Sequence, residues 1–200
     1  MIKPHDYDTA QSFDTDYKRL PAGGYVCVIK KIEEKLTRTG TTMIVVSYDI
    51  AEGEYAGYYA RLYKSAKSSS RGDAPKWRGT YNVFPYDRDG STNGHYKALV
   101  ESIEKSNGVE AKWADDYNQF TNKIVGLLMH EEEYESSDTH EVRTTTRACA
   151  SRSVDVIRSG AYEIPRKKLL AAENDSHPYA QSVVSTGYES VDYNEDDLPF

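Results

Sequence analysis

The constraint that most limits the fold of this 200-residue chain is a succession of short apolar runs, each closed by turn residues. Residues 25–32 are rich in β-branched and aromatic side chains, with the turn signal Pro21-Ala22-Gly23-Gly24 before them and Thr37-Arg38-Thr39-Gly40 after them. Residues 43–50 form the clearest strand, and their unbroken apolar start predicts burial on both faces at one end. Glu52-Gly53-Glu54 is the next turn, and residues 58–63 read as a third strand. Connections this short imply an antiparallel meander. Residues 64–80, rich in Lys, Ser, Gly and Arg, read as a loop, followed by the aromatic run 81–86 and the turn Asp87-Arg88-Asp89-Gly90.

Further along, Tyr96, Leu99, Val100 and Ile103 recur at the three-and-four spacing of one helix face, and Asn107-Gly108 ends the helix. Residues 123–131 predict a fourth strand and the threonine-rich stretch 143–156 a fifth. Five strands with one helix between the third and fourth is the element order of an OB-fold, a five-stranded Greek-key barrel. The expected fold class is therefore all-β with one helix, carried by residues 21–168. Residues 1–20 read as an irregular N-terminal arm, and 169–200 as a disordered acidic tail. No run approaches the ~20 apolar residues of a membrane helix, and the N-terminus lacks a secretory pattern. Cys27 and Cys149 are the only cysteines, which argues against a disulfide scaffold or a structural zinc site and for a cytoplasmic location.

Charge refines the picture. With 25 Lys+Arg against 32 Asp+Glu, the net charge is −7, which as a bulk figure opposes nucleic-acid binding. No Lys or Arg follows Lys168, however, and the last 32 residues hold seven acids. The first 168 residues hold equal numbers of each sign, so the whole deficit lies in the tail. Within the body, windows 61–88 and 141–168 are net +5 and +4, while 101–135 is acidic.

The chain ends Asp196-Asp197-Leu198-Pro199-Phe200. A terminal Phe joins an aromatic ring to an α-carboxylate, which a basic partner pocket can hold together. Pro199 keeps Leu198 extended, and the acids steer the tip toward its partner. These residues resemble the acidic tip of bacterial single-stranded DNA-binding proteins. Separately, Ala22-Gly23-Gly24-Tyr25 and Ile50-Ala51-Glu52-Gly53-Glu54 look like a family of small proteins from phage replication modules. The resemblance implies a phage-encoded single-stranded DNA-binding protein of the host cytoplasm, with a tail that recruits replication, recombination or repair proteins. Bacterial proteins with such tips are often oligomers.

The residues fit that expectation independently. Single strands are held by a basic groove and by aromatic rings that stack on bases, at ~1–3 kcal/mol per stack. Arg61, Lys64, Lys67, Arg71, Lys76 and Arg78 interleave with aromatics, of which Trp77 and Tyr81 are the leading stacking candidates. A loop Trp such as Trp77 either meets a base or folds back on the barrel, and about half the barrel's tyrosines must point inward. On the fifth strand, Arg143 and Arg147 share a face by period two, suiting a phosphate track or a charged edge.

Competing classes are an adaptor barrel that binds no DNA, a strand-annealing recombinase and a metal-dependent nuclease. For the nuclease, Glu110-Ala111-Lys112 is a two-residue match, and the glutamates at 131–133 and 135 beside His130 alternate faces on a strand instead of converging on one ion. No nucleotide-binding loop, zinc deaminase pattern or nucleophile elbow is present, so no catalytic residue, cofactor or metal is expected.

Overall fold

The computed structural model describes residues 3, 5, 19–69, 74–114, 116–136 and 139–170. Most of the N-terminal arm and the tail beyond Leu170 lie outside them. The elements in order are β1 (Gly23–Leu36), β2 (Thr42–Ile50), α1 (Tyr58–Ser69), β3 (Thr80–Val83), α2 (Gly94–Asn107), a 3-10 turn (Tyr117–Phe120), β4 (Ile124–Glu135), β5 (Val142–Arg152) and α3 (Val154–Ser159). The strands form one antiparallel sheet in the order β3-β2-β1-β4-β5. Among the described residues no helix is long and apolar enough to cross a membrane.

β1 is the hub. Its first half pairs with β4 and most of its length with β2, with a register shift between Ile29 and Lys31. Cys27 and Ile29 join Ile44, Val46, Tyr48 and Ile50 of β2 and Val125, Leu127 and Met129 of β4 in the main core. Leu99, Val100 and Ile103 of α2 close over it, as their spacing predicts. Asn93 caps α2 by accepting from the His95 and Tyr96 amides, and Gly108, at φ 61°, ends it in the left-handed conformation. Every residue from Ile44 to Ile50 is buried, so the expected two-faced burial of this run is found. On the opposite face of the sheet, Val154 and Ile157 of α3 pack on Val26 and Leu128.

Three expectations are corrected. The barrel does not close: the sheet is open, with β3 and β5 as its edges. β3 is only four residues long and runs into Pro85, which has no amide hydrogen to extend a ladder. The fifth strand ends at Arg152, because Val154 and Ile157 bury together three residues apart in α3.

The third correction is the largest: residues 58–63 are helical. Tyr59 and Tyr63, four apart, are both buried, and Leu62 packs beside them. The start of this helix is fixed from outside it. Gly57, with φ 70° and no side chain, precedes Tyr58 and cannot cap the helix itself. Instead, buried Asp49 at the end of β2 accepts from the Tyr59 amide at 2.9 Å and the Ala60 amide at 3.3 Å, and also from its neighbour Ile50 at 2.9 Å. D49A should therefore lower stability by about 2–3 kcal/mol, by stripping buried donors at a helix start. D49N, which keeps one acceptor, should cost less. Urea unfolding that left the D49A midpoint unchanged would contradict this role.

Candidate nucleic-acid interface

Asp49 seats α1 against β2 so that the loop after the helix has an aromatic wall to return to. Trp77 is 4% exposed, its ring 5.8 Å from Tyr63, and its Nε1 donates to the carbonyls of Tyr48 and Gly79, both at 3.2 Å. The Tyr48 amide in turn donates to the Gly79 carbonyl. A side chain at Gly79 would run into the Tyr48 carbonyl and the Tyr59 ring, so only glycine allows this approach. With Trp77 buried, Lys76 and Arg78 on either side of it face out. They line one wall of a cleft of about 180 Å³, with Leu62, Tyr63, Ser65 and Ala66 of α1 forming the other.

Arg61, Lys64 and Lys67 are exposed on α1. The Arg61 guanidinium donates to the Ala56 carbonyl, tying it to the helix start. Lys64 and Arg78 have no carboxylate partner among the described residues. Arg71 lies outside the described residues.

The second basic window is used differently. Arg143 and Arg147 do share a face, opposite Tyr134 and His130 of β4, and the period breaks at a register shift before Cys149. Both are paired, Arg143 with Glu141 at 3.2 Å and Arg147 with Glu132 at 3.2 Å. Lys168 also reaches Glu132, at 2.6 Å, Lys167 reaches Glu133 at 2.6 Å, and Arg19 pairs with Glu131. Residues near Lys168 lie alongside β4, where the Lys168 amide donates to the Glu131 carbonyl and the Glu133 amide to the Lys168 carbonyl. Arg166-Lys167-Lys168 is thus part of the body. The glutamates at 131–133 hold the chain's own cations. No group of three or more His, Cys, Asp or Glu side chains that could hold a metal ion occurs among the described residues.

The expected stacking rings also change. Trp77 and Tyr81, each 4% exposed, belong to the core and present no free ring face to a ligand in this conformation. Among the described residues the exposed rings are Trp113, at 74%, Tyr86, at 63%, and Tyr134, at 39%. Trp113 sits in a braced loop: Gln119 accepts from the Lys112 amide at 2.8 Å and donates back to the Lys112 carbonyl at 3.1 Å. Sequence reasoning passed over Trp113, although 111–116, like 74–79, offers an indole no large apolar neighbour to pack against. The residues expected to bind a partner, Asp196, Asp197, Leu198, Pro199 and Phe200, lie outside the described residues.

Around His130, burial pushes the imidazole below its ordinary value. Glu132 pulls it up, while Lys168 and Arg147 push it further down. The ring is therefore neutral at neutral pH and able both to donate and to accept.

The two indoles make a direct check on this geometry. Acrylamide should quench Trp113 emission and spare Trp77, so W113F should lose most of the quenchable signal. Strong residual quenching in W113F would contradict the burial of Trp77.

Comparison with known proteins follows the chain only part of the way. No curated protein matches it. A family model described as a protein of unknown function, DUF669, matches residues 5–126, from the N-terminal arm through α1, the basic cleft and α2 into the start of β4, and the chain belongs to that family.

Proposed function

We propose that the protein binds single-stranded DNA without sequence preference, and that the tip Asp196–Phe200 recruits replication, recombination or repair proteins to the bound strand. Three observations support this reading. The strand order β3-β2-β1-β4-β5, with α2 between β3 and β4, is that of an OB-fold opened between its third and fifth strands. The tip resembles that of bacterial single-stranded DNA-binding proteins. The observation that carries the proposal is the basic surface around α1, where Arg78 at the cleft and Lys64 on the helix are exposed without a carboxylate partner among the described residues.

Unpaired cations on a fixed rim can take phosphates with no prior ion pair to break. Cations of the 141–168 window would first have to leave their carboxylates. The DNA track is therefore led by Lys64 and Arg78, with Arg61 and Lys76 beside them and Arg143 and Arg147 secondary. The protein performs no chemistry of its own in this reading. If it is phage-encoded, it acts in the host cytoplasm.

Fluorescence anisotropy with labelled oligo-dT tests the proposal. Affinity should fall as salt rises, and each removed phosphate contact should flatten the log–log salt slope by about 0.7. K64A and R78A in the full chain should each do so, while R143A should change the slope less. Oligo-dT affinity that ignored salt and both substitutions would overturn the assignment, and absence of any binding would favour the adaptor. F200A should keep strand binding and lose capture of the partner. Equal loss of both would show that tip and body are not separate devices.

A further inference from the structure

Trp113 and Tyr86 stand in water on loops that are themselves well fastened. Trp113 follows α2, and its loop is braced at three points. The Glu104 carboxylate accepts from the Ala111 amide at 2.8 Å, Gln119 holds both backbone groups of Lys112, and Asp116 accepts from the Asn118 amide at 2.9 Å. Tyr86 precedes α2. It bridges to Thr92 across a turn in which the Asp87 amide donates to the Ser91 carbonyl and the Gly90 amide to the Asp87 carbonyl. The Tyr96 and Tyr117 hydroxyls, 3.2 Å apart, tie the first turn of α2 to the 3-10 turn that ends the Trp113 loop. Both loops therefore flank α2, and each holds its ring outward on a fixed backbone.

The surroundings say what such rings can meet. Neither lies in an apolar patch: Lys112 and Ala114 beside Trp113 are exposed, as are Asp87 and Arg88 after Tyr86. A hot spot for a protein partner needs a rim of further contacts that shuts out water. A nucleobase needs one flat ring face, with a cation nearby for its phosphate. Lys112 and Arg88 are such cations, exposed and without a carboxylate partner among the described residues. The carboxylates of Asp87, Asp89 and Asp116 are engaged inside their own turns, by Asn93, Ser91 and Asn118.

We infer that Trp113 is a base-stacking residue for a bound single strand, with Tyr86 as a second stacking ring. The inference rests on the single-strand reading and adds base contacts to a track that the cations at α1 hold by phosphates. Edge strand β3 joins the two regions, with Arg78 before it and Tyr86 after it. The chain between those residues reaches at most about 30 Å. A strand at B-form rise covers that distance in roughly eight or nine nucleotides, within the ~4–16 of one such site. Stacking accepts any base, in keeping with binding that has no sequence preference.

The test measures the anisotropy of two labelled strands with the full chain: oligo-dT, and an abasic strand of equal length that keeps the phosphates and lacks the bases. Trp113→Leu and Tyr86→Leu each keep an apolar side chain and remove the π face. At positions so exposed, both variants should melt with wild type. Each should bind oligo-dT about 5–150-fold more weakly, the worth of one stacked base, and the abasic strand as wild type does. Oligo-dT should also quench wild-type tryptophan emission and leave that of Trp113→Phe, which comes from Trp77, unchanged. Wild-type affinity for oligo-dT in either leucine variant would strike that ring from the site and leave the strand-binding reading intact. Equal loss on both strands would overturn stacking as the cause. No binding of wild type to oligo-dT would overturn the reading and the stacking role together. A protein partner is the rival occupant, and it predicts that Trp113→Leu binds oligo-dT as wild type does.

Discussion

The arrangement of the candidate DNA track depends on one buried carboxylate. Placing Asp49 in the interior costs several kcal/mol in lost hydration, which its hydrogen bonds must offset. It receives three backbone amides, two of them at the positively polarised start of α1. That exchange lets a helix begin after a glycine and lie on β2. Tyr59 then meets Tyr48 edge-to-face at 5.4 Å, Tyr63 meets Trp77, and the chain from 74 to 79 is pulled down onto the sheet. Each such buried aromatic contributes about 1.5–3 kcal/mol from area alone. Lys76 and Arg78 are held outward because the residue between them is held inward. Remove the carboxylate, and the cation rim loses its frame before any cation is touched.

This dependence also explains why part of the fold was legible and part was not. β1, β2, α2 and β4 could be read because each carries its own local signal: apolar, β-branched runs closed by turn residues along the strands, and a spacing of three and four from Tyr96 to Ile103. α1 could not. Residues 58–63 carry the β-prone Tyr-Tyr-Ala-Arg-Leu-Tyr, and the acceptor that starts the helix stands ten residues before Tyr59, on another element. Propensity is a local quantity, and here a tertiary hydrogen bond overrides it. Trp77 failed for the same reason. Its destination is built by Tyr48, Tyr63 and Gly79, none of them adjacent to it in sequence. Trp113 has a basic neighbour on one side only, but exposure is decided by what a loop packs against and not by its flanking charges.

Charge followed a similar course. Resolving the net −7 along the chain into a neutral body and an acidic tail revealed two basic windows of nearly equal strength. The fold separates them. Five of the seven cations in 141–168 pair with carboxylates of the body: Arg143, Arg147, Arg158, Lys167 and Lys168. Much of that pairing fastens the strip around Lys168 to β4 and to the glutamates at 131–133. Among the described residues, window 61–88 retains Lys64 and Arg78 outside any such pair. Linear counting measures how much charge a segment has, and three-dimensional pairing decides how much of it remains for a ligand.

The unclosed seam is the other point where the chain departs from the simplest solution. A barrel removes sheet edges altogether, whereas an open sheet must protect them. β5 carries Arg143, Arg147 and Arg152 along its length, and charged side chains on an edge strand discourage pairing with another chain. β3 is short and ends next to Pro85, which discourages pairing at the opposite edge. Both edges are thus protected against a β-strand without being covered. What remains between them is a cavity lined by β3 on one side and by the β4–β5 ladder on the other, where Glu132 holds Arg147 and Lys168 in place.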